Sequence, residues 1–118
     1  MIHIDQAGPD DIPQMVDLLE LLFAQEADFA PDRARQEQGL RLIIESPATG
    51  VIFVAREDDQ VVGMVSLLFT VSTAQGSRVC WLEDMVVKPN RRECGLGSRL
   101  DAHHTVDRAI QYAGRPAL

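Results

Sequence analysis

One stretch of the chain, residues 86–100, constrains the fold and the function more than any other. Its sequence is Val86-Val87-Lys88-Pro89-Asn90-Arg91-Arg92-Glu93-Cys94-Gly95-Leu96-Gly97-Ser98-Arg99-Leu100. An apolar strand thus leads through a basic loop and two glycines into a predicted helix. Glycines let the backbone approach a ligand without a Cβ in the way, and a helix N-terminus offers unpaired N–H groups to an anion. The arrangement predicts a phosphate-binding loop.

The composition is typical of a soluble, acidic protein with one domain and a real core. Hydrophobic residues make up 46% of the chain, and 18 acidic against 11 basic residues give a formal net charge of −7. This balance argues against nucleic-acid binding, for which a basic face is expected. No apolar run approaches the roughly 20 residues of a membrane span, and no signal peptide is evident. With only Cys80 and Cys94 available for disulfides, we expect a cytoplasmic protein.

Hydrophobic spacing predicts a strand at residues 2–5 and then two helices. The helices are expected at about 12–26 and 33–45, with Asp10 or Asp11 as the N-cap of the first and Asp32 as the N-cap of the second.

Three strands should follow the helices, at residues 51–55, 61–71 and 79–87. Short loops join them, so they should pair antiparallel. The middle strand is apolar throughout, which predicts burial on both faces. A last helix is expected from Gly97 to about Tyr112.

The segment Arg92-Glu93-Cys94-Gly95-Leu96-Gly97 resembles the acyl-CoA-binding signature Arg/Gln-x-x-Gly-x-Gly/Ala of the GNAT family of N-acetyltransferases. Residues 81–87 resemble the fourth strand of that family, and the likeness covers essentially the whole chain. The resemblance implies an α/β (mixed α+β) GNAT-like acyl-CoA N-acyltransferase fold with a largely antiparallel sheet, in the order β-α-α-β-β-β-α. A typical member continues with a fifth strand, another helix and two more strands. Residues 1–118 are therefore expected to form a single but incomplete domain.

The resemblance implies that acetyl-CoA, as co-substrate, binds along the fourth strand and the loop that follows it. Backbone N–H groups from Arg92 to Ser98 would bind the pyrophosphate, and the two arginines would add electrostatic attraction. Strand backbone groups would pair with the pantetheine amides as an added strand does. The alternative is an ordinary strand-to-helix turn with solvated arginines. The predicted cofactor-binding residues are Met85, Val86, Val87, Arg91, Arg92, Glu93, Cys94, Gly95, Leu96, Gly97 and Ser98.

Glu83 is the predicted catalytic base. Acetyl transfer to an amine needs a proton acceptor, and a carboxylate with a pKa raised by burial can serve. The resemblance to polyamine-type acetyltransferases with a similar Leu-Glu-Asp segment implies a glutamate at this position. Strand alternation places Glu83 and Met85 on one face and Asp84 and Val86 on the other, so only one carboxylate can face the cleft. A solvated acid is the alternative.

Other candidates carry less weight. Cys94 is expected to be a small residue that fits the loop, and a mixed disulfide with coenzyme A is the less favoured alternative. His103 and His104 are adjacent and point in different directions on a helix, so no metal site is expected. Tyr112, the only tyrosine, precedes the position where many family members carry a general acid and does not inherit that role.

The leading hypothesis is an acetyl-CoA-dependent N-acetyltransferase that transfers an acetyl group to a primary amine by direct attack. The acceptor would be a small-molecule or peptide amine, and Glu20, Glu26 and Asp28 on the helical segment mildly favour a cationic one. The alternative is a non-catalytic or degenerate CoA-binding or interaction module. A different nucleotide-binding domain is weaker, because no third glycine and no Walker lysine are present.

The predicted strand at 79–87 would leave a long apolar edge, normally an aggregation hazard. We expect another chain or a missing segment to cover it, and a homodimer is the form we predict. Neither nucleic acid nor membrane is an expected partner.

Overall fold

The structure is a computed structural model that describes residues 2–24 and 32–94. The chain forms an antiparallel sheet in the order β1-β2-β3-β4, with two helices between the first and second strands. The strands are β1 (Ile2–Gln6), β2 (Gly50–Glu57), β3 (Gln60–Ser72) and β4 (Ser77–Val87). The helices are α1 (Ile12–Phe23) and α2 (Arg33–Glu45), and short 3-10 helices cover Pro9–Asp11 and Pro89–Cys94.

The element order predicted from the sequence is confirmed over the described residues. The three central strands pair antiparallel as expected, and each is longer than its apolar run because polar residues at both hairpins continue the pairing. The helix predicted from Gly97 to Tyr112 lies outside the described residues, so it stays a prediction. β4 is the last strand of the described sheet, and the expected second copy on its edge also stays a prediction.

β3 is the centre of the core and is buried on both faces. Its residues 61–67 are buried without interruption, which confirms the prediction for this part of the apolar run, whereas Leu68 and Phe69 are half-buried and Val71 is exposed. On one face, side chains of β2, β3 and β4 pack against α1 and α2. Met15, Val16 and Leu18 of α1 are fully buried there. A second cluster lies on the opposite face and includes Phe53 and Val65. Burying each such side chain stabilises the fold by about 1.5–3 kcal/mol.

An ion pair fixes the start of α1 to the sheet. Arg56 donates two hydrogen bonds to the Asp11 carboxylate, at 2.7 and 3.1 Å, and the Gly8 backbone N–H donates a third at 2.9 Å. The hydrogen bond from Arg56 is the main reason that the pKa of Asp11 is lowered. Asp11 is at the N-cap position, as expected, but its side chain makes no cap bond to α1 because Arg56 and Gly8 hold it.

α2 begins as the sequence predicts, with Asp32 accepting a hydrogen bond from the Arg35 backbone N–H at 3.2 Å. Arg33 then bonds to Asp17 and Glu20 on α1, so Glu20 already has a cationic partner. This pairing weakens the argument that Glu20 attracts a cationic acceptor; Glu26 and Asp28 lie outside the described residues. None of the described helices is long and apolar enough to cross a membrane.

Gly50 allows β2 and β3 to approach closely. A Cβ at Gly50 would lie 2.4 Å from the Leu67 carbonyl oxygen, a backbone atom that cannot move aside without disturbing the strand pair. Gly39 differs, because a Cβ there would meet nothing within 4 Å on the exposed side of α2.

We therefore expect opposite results from the same substitution at these two glycines. Gly50→Ala should destabilise the fold by about 1–3 kcal/mol through overpacking. Gly39→Ala should stabilise it by about 0.5–1 kcal/mol, because alanine favours the helix interior. Urea denaturation followed by circular dichroism measures both. A Gly50→Ala protein as stable as the wild type would contradict the close approach.

Candidate active site

β4 carries a one-residue irregularity at the candidate catalytic residue. Ser66 of β3 pairs with Asp84, whereas the next residue, Leu67, pairs with Leu82. Glu83 therefore has no pairing partner on β3. An extra residue in one strand is a β-bulge, which bends the strand, increases its twist and often occurs beside active sites. The predicted base is thus the residue at which β4 departs from regular pairing.

The bulge limits the alternation argument made from the sequence. Val86 packs in the cluster on the helical side, and Met85 packs in the cluster on the opposite side. Asp84 pairs with Ser66 two residues from Val86, so it shares a face with Val86 as predicted, and that face is the helical side. Side chains do not alternate strictly across an inserted residue. The alternation therefore no longer determines which face of the sheet Glu83 lies on. Glu83 is exposed, and Asp84 is half-buried.

Ser66 and Asp84 bond to each other through both backbone and side chain. The Asp84 backbone N–H donates to Ser66 Oγ at 3.2 Å, and Ser66 Oγ in turn donates to the Asp84 carboxylate at 3.4 Å. Ser66 is only 1% exposed. Burial, and then the nearby charge of Glu83, raises the pKa of Asp84, while the hydrogen bond from Ser66 opposes the rise.

Sequence reasoning missed Ser66 and ranked Asp84 below Glu83. A signal was available, since Ser66 is the only hydroxyl-bearing residue in the buried run 61–67. A hydroxyl in an apolar strand needs a partner, because burying one without a hydrogen bond costs about 1–3 kcal/mol. The partner is on β4, and finding it requires the bulged register.

The backbone of β4 is directed alternately towards β3 and away from it. The N–H groups of Asp84 and Lys88 point to β3, where they bond to Ser66 Oγ and to the Val62 carbonyl. With a period of two, Val86 also faces β3, whereas Met85 directs its backbone groups to the outer edge. Of the three strand residues predicted to contact the cofactor through the backbone, Val86 is therefore unsuited to that role.

Arg91 is engaged by an acid at the end of β2. Its guanidinium donates to the two carboxylate oxygens of Glu57, at 2.8 and 2.7 Å, and also to the Asn90 carbonyl at 3.2 Å. The hydrogen bond from Arg91 is the main reason that the pKa of Glu57 is lowered. The sequence predicted that this arginine adds electrostatic attraction for phosphate, and that role stays a prediction. In the structure its guanidinium anchors the 3-10 helix after β4 to β2.

The remaining predicted cofactor residues lie at or beyond the end of the described chain. The backbone of Arg92, Glu93 and Cys94 continues the 3-10 helix. Gly95, Leu96, Gly97 and Ser98 lie outside the described residues, as do His103, His104 and Tyr112. Within residues 2–24 and 32–94, no group of histidine, cysteine and acidic side chains is arranged to hold a metal ion.

The fold agrees with what the comparisons find. Residues 13–116 match the model of the acetyltransferase (GNAT) family. The chain belongs to the GNAT family. A comparison with curated proteins gives no match.

Several solved structures share this fold. A possible acetyltransferase from Clostridium difficile 630 is 18% identical, with a TM-score of 0.80 over 89% of this chain and 69% of that one. Integron cassette protein HFX_CASS3, from the mobile metagenome of Cole Harbour Salt Marsh, is 24% identical, with a TM-score of 0.78 over 98% and 87%. Aminoglycoside acetyltransferase meta-AAC0020, from an uncultured soil sample, is 18% identical, with a TM-score of 0.69 over 92% and 72%.

The coupling between the two adjacent carboxylates gives a direct test of the site. Glu83→Gln should lower the pKa of Asp84, because it removes the neighbouring negative charge and leaves the burial unchanged. Carboxyl carbon shifts followed by NMR across a pH titration would show this. The matched control is Glu37→Gln on the exposed side of α2, which should leave Asp84 unchanged.

The raised pKa of Asp84 also makes the stability of the fold depend on pH. Because the folded-state pKa of Asp84 is raised, its contribution to stability is present below the unfolded pKa and is lost as pH rises through the folded pKa. Glu83→Gln should reduce that loss. An Asp84 titration identical in the wild type and Glu83→Gln would contradict the coupling.

Proposed function

We propose that this GNAT protein is an acetyl-CoA-dependent N-acetyltransferase that acetylates a primary amine of a small molecule or peptide. The observation that carries the proposal is the bulge in β4. At this bulge lies the exposed carboxylate of Glu83, and two residues later the backbone of Met85 faces outward. A proton acceptor and a backbone N–H donor are the two groups that acetyl transfer to an amine requires.

The described residues fit acetyl-CoA along the outer side of β4. The pantetheine arm is extended and carries amide groups, so it can pair with the outward-facing backbone of Met85 as an added strand would. The loop from Arg92 to Ser98 would bind the pyrophosphate through its backbone N–H groups, as a helix N-terminus does. Arg91 would hold this loop against β2 through Glu57, rather than contact the phosphates itself.

Acetyl-CoA supplies a thioester carbonyl, and the residues of β4 act on the atoms around it. The backbone N–H of Met85 would stabilise the negative charge that develops on the carbonyl oxygen as the amine attacks. Glu83 would take the proton from the amine nitrogen, directly or through a water molecule. The carbon–nitrogen bond forms, the carbon–sulfur bond breaks, and coenzyme A leaves as the thiol after gaining a proton from solvent.

The acceptor is proposed only as a class. Meta-AAC0020 is an aminoglycoside acetyltransferase solved in complex with sisomicin, but a likeness at 18% identity shows the fold alone. The net charge of −7 is compatible with a cationic amine, and the acids of α1 nearest to α2 are already paired with Arg33.

The first experiment is a calorimetric titration of the chain with acetyl-CoA. Wild type should bind at micromolar concentrations, and Gly97→Glu should abolish binding, because a side chain and a negative charge would block the approach of the phosphate. Gly39→Glu adds the same charge at an open position on α2 and should bind as the wild type does. Equal affinity of Gly97→Glu and the wild type would exclude the loop as the phosphate site.

The role of Glu83 is tested by the release of free thiol from acetyl-CoA in the presence of amines. Glu83→Gln should lower turnover by about 100-fold or more, the usual contribution of a general base. The loss should be greatest at low pH, where the amine is protonated, and cofactor affinity should stay nearly constant. The control is again Glu37→Gln.

Two outcomes would count against this proposal. Undiminished turnover in Glu83→Gln would remove that residue from the mechanism. A wild type that binds acetyl-CoA but releases no thiol with any amine would favour the non-catalytic CoA-binding module.

A further inference from the structure

We propose that Ser66 is a positioning residue for acetyl transfer, because its reciprocal bonds with Asp84 hold the bulge that sets the direction of the Met85 N–H. We call this pair of bonds the Ser66–Asp84 clasp. It consists of the hydrogen bond from the Asp84 N–H to Ser66 Oγ and the hydrogen bond from Ser66 Oγ to the Asp84 carboxylate. The inference rests on the proposed function and adds a residue that does not touch the substrate.

The backbone at the bulge depends on the Ser66 hydroxyl. At a bulge the extra residue has no partner, and the ladder on either side is locally disrupted. Here the N–H that follows the extra residue bonds to a side chain of β3 instead of a carbonyl. Without the Ser66 hydroxyl, the partly buried Asp84 N–H would lose this partner. An unpaired buried N–H is costly, so the strand would shift to find another.

Ser66 places a hydroxyl in an otherwise apolar part of β3. Ser66 is surrounded in sequence by Met64, Val65 and Leu67, all of which are buried. An apolar residue at this position would bury more apolar surface and would leave the Asp84 N–H without its partner. The hydroxyl therefore serves β4 rather than the packing of β3.

Both proposed reacting groups of the protein lie directly beside the bulge. Met85 follows Asp84 directly, so any rotation of the strand at Asp84 turns the Met85 N–H as well. Glu83 precedes Asp84 and would move with it. In enzymes, a displacement of about 1 Å at the reacting groups can reduce the rate by roughly 100-fold. Loss of the clasp should therefore affect the chemical step more than cofactor binding, which is spread over a longer stretch of chain.

The chain offers a matched control for removal of this hydroxyl. Ser72, at the far end of β3, also accepts a backbone N–H through its Oγ, from Gln75 at 3.2 Å. The two serines thus make the same type of bond on the same strand, and only Ser66 makes it at the bulge.

The test compares Ser66→Ala, Ser72→Ala and Ser66→Thr in turnover and in amide hydrogen exchange. Ser66→Ala should lower kcat about 10- to 100-fold, change KM for acetyl-CoA less than about threefold, and speed exchange of the Asp84 amide. Ser72→Ala should keep the wild-type kcat, and Ser66→Thr, which retains the hydroxyl, should recover most of it. A folded Ser66→Ala protein with wild-type kcat would overturn the proposal.

Amide hydrogen exchange in the wild type tests the clasp even if Ser66→Ala does not fold or if no amine is acetylated. The Asp84 amide should exchange at least about tenfold more slowly than the Gln75 amide, which makes the same bond in an exposed turn. Equal exchange of the two amides would overturn the clasp. A wild type that releases no thiol with any amine, but protects the Asp84 amide, would reject the proposed function while leaving the clasp in place.

Discussion

The burial of β3 on both faces is the constraint on which the rest of the structure depends. A strand whose residues 61–67 are all buried needs apolar neighbours above and below. The amphipathic helices α1 and α2 supply the apolar layer on one face of the sheet. The neighbouring strand β2 contributes apolar side chains to both faces. Most polar side chains then lie at the hairpins, on the helix surfaces and on the edge strands β1 and β4. Ser66 is the exception within the buried residues 61–67 of β3, and its hydroxyl is bonded to the neighbouring strand.

The bulge in β4 separates two carboxylates that are adjacent in sequence. Asp84 is half-buried, paired with Ser66 and raised in pKa, whereas Glu83 is exposed and has no partner on β3. A regular strand would place them on opposite faces of the sheet with equivalent backbone surroundings. The inserted residue instead gives one acid a structural bond and leaves the other exposed.

Local patterns in the sequence predicted much of the fold, because local interactions decide it. The apolar run of β3, the Asp32 cap and the short hairpin loops each require only neighbouring residues. The bulge could not be predicted in this way, since the segment from Trp81 to Val87 shows no change in pattern at Glu83. The pairing of Arg91 with Glu57 also escaped prediction, because these residues are 34 positions apart. Both misses concern the candidate site, where side chains from separate strands meet.

The bond between Arg91 and Glu57 has a consequence for how a polyanion would reach this protein. Its positive charge is matched by an internal carboxylate, and the chain as a whole carries a formal charge of −7. At distances beyond about 10 Å the protein would therefore repel coenzyme A more than attract it, and salt would screen that repulsion. Capture would depend on short-range backbone dipoles. Moderate ionic strength would then speed the encounter between the two negatively charged molecules.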